Sequence, residues 1–334
     1  MQRKIAVLGA GAWGITLANL LTGKPDYHVE LWSYNGETAA DINRQHYTRV
    51  LRDIPLKPEL MAYTDAARVL YGADTVVSVV VSHGLRDFLK SAQAFYPNGA
   101  KVISATKGLE KGECKRMTKV ILEEWPAITE DRLAVLSGPN LAAEIAQEKP
   151  ASTVIASSCK ETAQFFQTLF HSETFRVYTS GDVAGVELGG AIKNVIAIAS
   201  GMCAGLSLGD NAIAAVATRG VKEISRLGLK MDAKAETFAG MAGLGDVIVT
   251  CISRQSRNRA IGEEIGKGRR PAEIMAERKS VEGIHTVVAL HELARIHQTP
   301  LPICEMVYAV LFEGFPVTEV IGILMGRDPR EENI

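Results

Sequence analysis

The chain has little of what marks secreted, metal-binding or nucleic-acid-binding proteins. Its five cysteines form no C-x-x-C pair and no zinc-like spacing with histidine, so we expect reduced, mostly buried thiols in a cytoplasmic protein without a metal. Lysine and arginine number 37 against 38 aspartates and glutamates, and this near balance gives no overall field that would recruit nucleic acid or a membrane surface. With 47% hydrophobic residues and no repeats, the 334-residue chain reads as globular and is long enough for two domains.

A clean membrane-spanning run is also missing. The most apolar stretch, residues 183–208, carries Glu187, Lys193 and Asn194 together with several glycines. Charged side chains are costly in the hydrocarbon core of a bilayer. The stretch therefore predicts a helix buried in protein and no membrane span.

What the sequence does contain is a glycine pattern near its start. Apolar residues 5–8 predict a buried strand, Gly9, Gly11 and Gly14 follow as G-x-G-x-x-G, and residues 15–21 continue as a helix. The first glycine permits a tight turn, the second lets the backbone approach a pyrophosphate, and the third lets helix and strand pack closely. The pattern predicts dinucleotide binding at the helix N-terminus. A flavin uses the same loop, and a signal peptide is disfavoured because these glycines would break its apolar core.

The end of the second predicted strand, residues 28–32, bears on which nicotinamide cofactor is used. An Asp or Glu there would hold the ribose 2′-OH of NAD. Here the strand is followed by Ser33, Tyr34 and Asn35, with Glu37 close by. Without a carboxylate at the strand end a 2′-phosphate is not repelled, so the sequence permits NADP and does not exclude NAD. A simple polar turn is the alternative interpretation of these residues.

Strand and helix signals alternate through the first half of the chain. Runs of apolar residues predict strands at 76–81, 101–105, 133–136, 153–156 and 175–178. Helical stretches lie near 84–95, 112–124, 140–147 and 160–170. The alternation predicts an α/β fold with a Rossmann-type doubly wound sheet in a first domain, residues 1–180. Helical periodicity dominates afterwards, which predicts a mainly α-helical second domain, residues 181–334, with a substrate cleft between the two.

Lys193 is the first candidate for chemistry in the second half. Its neighbours at helical spacing are Gly189 and Gly190 before it and Ile196 and Ala197 after it. Small residues on this face would let a flat ring or a small substrate come close to the helix backbone. A lysine in such a desolvated place suits acid/base chemistry near neutral pH. The alternatives are a lysine that reaches solvent or one that pairs with the nearby Glu187.

Two further candidates occupy loops. Lys107 follows a predicted strand, and ligands of open α/β sheets bind outside the carboxyl ends of the strands. Asp246 follows Gly243 and Gly245, whose spacing indicates tight backbone turns. Lys107 is able to polarise a carbonyl or neutralise a phosphate, and Asp246 to accept a hydrogen bond from a substrate hydroxyl or a lysine. A solvated loop lysine and a turn or cap aspartate are the alternatives.

Residues 253–259 (SRQSRNR) hold three arginines and then begin a helix. Arginine grips phosphate with a planar fork, and serine and asparagine add neutral donors. The segment predicts a site for a small phosphorylated substrate. A nucleic-acid patch is disfavoured because the run is short and lacks interleaved aromatic residues. A solvated helix start is the remaining alternative.

These motifs, taken in order, resemble the bacterial-type NAD(P)-dependent glycerol-3-phosphate dehydrogenase family over essentially the whole chain. The matching motifs are GAGAWG at 9–14, ATKG at 105–108, SGPN at 137–140, GGAIKNVIAIASG at 189–201, TRG at 218–220, GMAGLGD at 240–246, SRN at 256–258 and VEG at 281–283. The resemblance implies a helical second domain like the C-terminal domain of 6-phosphogluconate dehydrogenase.

The resemblance also implies roles for individual residues. Lys193 would accept the proton when glycerol 3-phosphate is oxidised, Lys107 would touch both cofactor and substrate, and Asp246 would orient the substrate hydroxyls. Cofactor contacts are implied at Gly9, Gly11, Ala12, Trp13, Gly14, Tyr34, Lys107, Ala142, Arg257 and Glu282. Substrate contacts are implied at Lys107, Gly138, Asn140, Lys193, Asp246, Ser256, Arg257 and Asn258.

At three positions the chain departs from the family pattern. Asn140 stands where Ser or Thr is frequent, Tyr34 replaces the usual His or Arg, and Ser280 stands where valine is common. The change at Tyr34 weakens any inference about NADP preference.

The activity implied is hydride transfer between NAD(P)H and dihydroxyacetone phosphate, without a metal, which gives sn-glycerol 3-phosphate for phospholipid synthesis. A homodimer is also implied. One rival is a β-hydroxyacid dehydrogenase of the same two-domain architecture, which would need a carboxylate site in place of residues 256–258. The other is a cofactor-binding regulator without catalysis, against which Lys193, Lys107 and Asp246 all argue.

Overall fold

The computed structural model describes residues 2–52, 54–278, 281–326, 328 and 331–332, so Ser280 lies outside the described residues. The chain folds into two compact units. Unit 1 comprises residues 1–107 and 117–183, and unit 2 comprises residues 108–116 and 184–334. The short segment 108–116 thus groups with the helical half of the chain, although it interrupts the sequence of the first unit.

Unit 1 is built on one eight-stranded sheet. Its strands are β1 Arg3–Leu8, β2 Tyr27–Trp32, β3 Met61–Tyr63, β4 Thr75–Ser78, β5 Lys101–Ser104, β6 Leu133–Ser137, β7 Ala151–Ala156 and β8 Phe175–Ser180. They are ordered β3-β2-β1-β4-β5-β6-β7-β8. Neighbouring strands are parallel except β6 and β7, which pair antiparallel.

Helices cover both faces of this sheet. They are α1 Ala12–Thr22, α2 Gly36–Gln45, α3 Ala66–Leu70, α4 Ser82–Ala92, α5 Met117–Glu124, α6 Ala142–Ala146 and α7 Lys160–Phe170. Alternate residues of β1 enter different cores: Ile5 and Val7 pack with α1 and α7, whereas Ala6 and Leu8 pack with α4 and α5. This two-sided burial explains the continuous apolar runs of the strands, and the doubly wound fold expected from the sequence is confirmed.

Unit 2 is almost entirely helical. Its helices are α8 Val183–Gly205, α9 Asp210–Leu229, α10 Ala235–Ala239, α11 Asp246–Ile252, α12 Arg257–Gly266, α13 Pro271–Glu277, α14 Glu282–Ile296, α15 Pro302–Phe312 and α16 Val317–Met325. A π-helical turn, Met241–Gly245, leads directly into α11. The mainly α-helical second half expected from the sequence is therefore confirmed.

Helix α8 is the centre of unit 2. It is long and apolar enough to cross a membrane, but 94% of its most apolar window is buried inside the protein, as in a core helix. A Cβ on Gly201 would overlap the carbonyl oxygen of Arg259, and one on Gly262 would overlap that of Ile198. The backbones of α8 and α12 therefore touch, which only glycine permits at these positions.

Parts of the predicted secondary structure differ from the structure. The helix expected over 112–124 starts only at Met117, because Gly112 and Cys114 have positive φ angles of 90° and 55°. The strand expected over 76–81 ends at Ser78. Helices α2 and α3 and strand β3 were not predicted, since each is short or strongly polar and carries a weak periodic signal.

A buried carboxyl group joins two helices of unit 2. Glu223 of α9 is 3% exposed and accepts hydrogen bonds from the backbone N–H groups of Ile303 (2.8 Å) and Cys304 (3.3 Å), at the start of α15. Burial raises the pKa of this carboxyl from 4.5 to about 7, while the two N–H groups and Arg226 oppose the shift. Folding therefore favours the protonated form of Glu223.

This shift predicts a pH-dependent stability. Because the folded state holds the Glu223 proton more tightly than the unfolded chain, the contribution of this group to the free energy of unfolding decreases as pH rises from 4.5 to about 7. A shift of this size corresponds to about 3 kcal/mol. Urea unfolding of wild type and Glu223→Gln across this range should show the wild type losing stability relative to the variant. A pH-independent difference would contradict the assignment.

Candidate functional site

The glycine-rich loop of unit 1 has the geometry that its sequence predicts. Gly9 has a φ of +115°, and a Cβ there would lie 2.7 Å from the carbonyl oxygen of Val79. A Cβ on Gly14 would overlap the carbonyl oxygen of Gly9. These two glycines are thus required by the protein's own backbone, one for the turn between β1 and α1 and one for close packing of α1.

Gly11 has a different environment. A Cβ on Gly11 would meet no described atom within 4 Å, so space is left beside the N-terminus of α1. Gly11 is the N-cap residue of this helix, and no side chain at this position occupies the first N–H groups. Nearby, the buried indole Nε1 of Trp13 has no hydrogen-bond acceptor among the described residues. A buried donor without a partner is unusual and often marks the place of a ligand or water. Open space, free N–H groups and an unpaired donor fit the phosphates and polar groups of a dinucleotide.

The turn after β2 is more ordered than its polar composition indicates. Ser33 is buried and donates to the carbonyl oxygen of Asn35 (2.8 Å), while the Asn35 side chain caps α2 by accepting from the N–H of Thr38 (3.0 Å). Tyr34 is 91% exposed. Ser33 and Asn35 therefore have structural roles, and Tyr34 is the residue of the turn whose side chain is open to a ligand.

Predicted residues from two other parts of unit 1 lie close together. Lys107 Nζ donates to the carbonyl oxygen of Gly138 (2.9 Å). Gly138 has a φ of +157°, and a Cβ there would lie 2.9 Å from Cα of Thr153. Asn140 donates to the carbonyl oxygen of Ser152 and accepts from the hydroxyl of Thr153. These contacts bring Lys107, Gly138 and Asn140 together at the carboxyl ends of β5 and β6.

Ala142 occupies the start of α6. Its carbonyl oxygen accepts from the hydroxyl of Thr16 on α1 (3.1 Å), so α6 is tied to the helix that begins at the glycine-rich loop.

In unit 2, Gly189 does not have the role expected from the sequence. The space beside Gly189 is filled by protein, since a Cβ there would overlap the carbonyl oxygen of Ala242. The expectation that Gly189 admits a ligand to the helix backbone is therefore wrong. The expected tight turns at 243–245 are also wrong: these residues form the π-helical turn that continues into α11.

The close approach of α8 to the π-helical turn brings Lys193 and Asp246 together. Lys193 donates through Nζ to Oδ1 of Asp246 and to the hydroxyl of Thr250 (2.9 Å). Thr250 in turn donates to the backbone carbonyl of Asp246 (2.6 Å). The Lys193 side chain is 8% exposed and that of Asp246 is fully buried. Glu187 pairs with Arg116. The alternative interpretation, in which Lys193 pairs with Glu187, is therefore wrong.

The predicted phosphate segment starts α12. Ser256 is the N-cap of this helix, its hydroxyl accepting from the N–H of Arg259. Asn258 is buried; it donates to Oδ1 of Asn194 (2.9 Å) and accepts from the N–H of Gly283 (3.1 Å), beside Glu282 at the start of α14. Arg257 is exposed, and no ion pair or hydrogen bond joins its side chain to another described residue. Arg257 therefore presents a guanidinium that is open to an anion, and Arg254 of the same segment is exposed as well.

Two residues of this site were missed at the sequence level. Thr250 lies one helical turn after Asp246, and Asn194 directly follows Lys193. The only signal in the sequence for either residue is its position next to a candidate catalytic residue. Within the part of the chain that is described, no group of three or more His, Cys, Asp or Glu side chains is placed to hold a metal ion.

The chain is similar to known dehydrogenases over nearly its whole length. Family models described as the N-terminus and C-terminus of NAD-dependent glycerol-3-phosphate dehydrogenase match residues 4–163 and 182–322. Glycerol-3-phosphate dehydrogenase [NAD(P)+] from Chlorobium limicola is 42% identical over 98% of this chain and 99% of its own. The protein of that name from Moorella thermoacetica is 43% identical, covering 100% and 98%. The crystal structure of glycerol-3-phosphate dehydrogenase from Coxiella burnetii has a TM-score of 0.92 at 34% identity, covering 98% and 99%.

The open space at Gly11 predicts a separation of folding from dinucleotide binding. Gly11→Ala adds a methyl group that meets no described protein atom, so the melting temperature should stay near that of wild type. The Kd for NADPH or NADH, measured by fluorescence titration, should rise by about tenfold or more, roughly 1.4 kcal/mol. Gly14→Ala is the matched control, because its methyl group would overlap Gly9 and should lower the melting temperature. Unchanged affinity in Gly11→Ala would place the phosphates elsewhere.

Proposed function

The chain belongs to the NAD-dependent glycerol-3-phosphate dehydrogenase family, and we propose the residues by which it interconverts dihydroxyacetone phosphate and sn-glycerol 3-phosphate. It is an NAD(P)-dependent oxidoreductase that acts on a CH–OH group. The observation that carries the assignment of the proton-transfer residues is the buried contact of Lys193 with Asp246 and Thr250.

Unit 1 provides most of the cofactor residues in this proposal. Gly9, Gly11, Ala12, Trp13 and Gly14 hold the dinucleotide at the N-terminus of α1, with Tyr34 near the adenosine ribose. Lys107, Ala142, Arg257 and Glu282 complete the cofactor contacts. The open space at Gly11 and the unpaired Nε1 of Trp13 support the loop assignment. When bound, the nicotinamide supplies the hydride chemistry at the carbinol carbon.

Lys193 moves the proton. In the oxidation of glycerol 3-phosphate its amine accepts the proton of the C2 hydroxyl, and in the reduction of dihydroxyacetone phosphate its ammonium donates a proton to the carbonyl oxygen. Asp246 and Thr250 hold the lysine nitrogen in place, so that little reorganisation is needed when the proton moves. Asp246 also orients the substrate hydroxyls. The ammonium of Lys107 stabilises negative charge on the same substrate oxygen.

The start of α12 holds the phosphate in this proposal, while Gly138 and Asn140 contact the rest of the substrate. Arg257 presents an exposed guanidinium fork, Ser256 keeps a hydroxyl proton to donate, and the helix N-terminus favours an anion. Asn258 contributes through its remaining amide N–H, since its oxygen is already occupied by Gly283. Binding energy from this non-reacting phosphate helps to position the reacting carbon.

The family resemblance supports three further parts of the proposal. These are a place in glycerol 3-phosphate supply for phospholipid synthesis, a cytoplasmic location and a homodimeric assembly. The absence of a carboxylate at residues 33–35 supports the use of NADP as well as NAD.

The first experiment is oxidation of NADPH, and separately of NADH, by the purified protein with dihydroxyacetone phosphate, followed by absorbance. We expect turnover with this substrate, and the ratio of the two kcat/KM values measures cofactor preference. β-Hydroxyacids serve as the comparison, assayed in the oxidative direction as reduction of NADP+ or NAD+. Turnover only with the acids would favour the β-hydroxyacid dehydrogenases, and cofactor binding without any turnover would indicate a non-catalytic role.

Substitution of Lys193 and substitution of Arg257 should affect different kinetic constants. Lys193→Ala should lower kcat by about 100-fold or more, the usual scale for loss of an acid/base group, with the Kd for NADPH little changed. Arg257→Ala should chiefly raise the KM for dihydroxyacetone phosphate, because it removes a phosphate contact and leaves the proton-transfer residues intact. Near-wild-type kcat in Lys193→Ala would refute its role, and an unchanged KM in Arg257→Ala would move the phosphate site.

A further inference from the structure

Residues 108–116 form a small hairpin that neither the proposed cofactor site nor the proposed substrate site uses. Leu109 and Arg116 face each other in an antiparallel bridge, and the N–H of Glu110 donates to the carbonyl oxygen of Lys115 (2.9 Å). Gly112 and Cys114 adopt positive φ angles, which reverse the chain direction. The hairpin therefore has its own defined conformation and is more than a loose connection.

The hairpin is embedded in unit 2. Leu109 and Cys114 are 1% and 5% exposed, and they belong to the same hydrophobic cluster as Ala184 and Leu188 of α8. Burial of these two side chains in the core of unit 2 stabilises the attachment of the hairpin to that unit. Residues on either side of the hairpin, up to Lys107 and from Met117, belong to unit 1.

An ion pair fixes the end of the hairpin to the same helix. Arg116 Nη1 lies 3.0 Å from Glu187 Oε2, and the Glu187 side chain is 1% exposed. A carboxylate buried this deeply is costly without a cationic partner, so the ion pair with Arg116 stabilises the charged form of Glu187 on α8. Glu187 lies six residues before Lys193 on this helix.

We propose that the Arg116–Glu187 ion pair is a positioning device for Lys107. Gly108, the first residue of the hairpin, is bonded directly to Lys107, so anchoring the hairpin on α8 limits the positions that Lys107 can take. Lys107 itself has a second constraint, its hydrogen bond to Gly138. The inference rests on the proposed role of Lys107 in contacting cofactor and substrate, and Arg116 and Glu187 act through that lysine without touching the reacting atoms.

A double-mutant cycle between Lys107 and Arg116 tests this role. In the otherwise wild-type enzyme, Arg116→Met should lower kcat/KM for dihydroxyacetone phosphate by about 10- to 100-fold, the scale expected for a displaced catalytic group. In a Lys107→Met background the same substitution should change kcat/KM by less than about twofold, because the residue that it positions is absent. A purely structural role would lower activity equally in both backgrounds.

Two further variants keep the result interpretable. Glu187→Gln removes the charge of the partner while keeping its shape, and it should show the same dependence on Lys107. Lys115→Met, which breaks the more exposed ion pair between Lys115 and Glu113 in the same hairpin, is the matched control and should leave kcat/KM unchanged in both backgrounds. Melting temperatures of all variants show whether each one is folded.

The outcomes separate this inference from the proposed function. Wild-type turnover of dihydroxyacetone phosphate together with equal losses in both backgrounds would overturn the positioning role and leave the function standing. No effect of Arg116→Met or of Glu187→Gln in the folded proteins would overturn it as well. If the wild-type protein does not turn over dihydroxyacetone phosphate, the proposed function fails before the cycle is measured.

Discussion

The buried pair of Lys193 and Asp246 is the interaction on which the rest of unit 2 depends. Removing both charges from water costs several kcal/mol per ion, and this cost is recovered only when the partners meet in good geometry with further hydrogen bonds. Thr250 supplies one of these bonds and fixes the lysine nitrogen. The helices that carry the three residues must therefore be placed accurately.

Glycines provide this accuracy because they bring helix backbones into direct contact. At Gly189 the backbone of α8 packs directly against the backbone of the π-helical turn. At Gly201 and Gly262 the backbones of α8 and α12 pack directly against each other. No flexible side chain lies between these backbones, so the position of α8 is set by hard contacts. The side chain of Asn258 also fixes the relative positions of three helices. It links α12 to Asn194 on α8 and to Gly283 at the start of α14.

Much of the fold could be predicted from local patterns alone. The apolar runs of β1, β4 and β6 and the long periodic stretches of α8 and α14 carry strong signals, because burial on both faces or on one stripe constrains their composition. A strongly polar helix such as α2 and a strand of three residues such as β3 carry almost none. The hairpin 108–116 was assigned in part to a helix because periodicity does not reveal where Gly112 and Cys114 will adopt positive φ angles.

The chemical groups available can be identified from the amino-acid order alone: a glycine-rich loop before a helix, two lysines, an aspartate and an arginine-rich helix start, in the order of a known family. The tertiary structure sets how these groups are paired. Lys193 meets Asp246 across 53 residues of chain, and Arg116 meets Glu187 across 71. It also decided that the space at Gly189 is filled by backbone and that the space at Gly11 is left open. The physical reason is that pairing and free space depend on how distant helices pack, and no local pattern of residues encodes that distance.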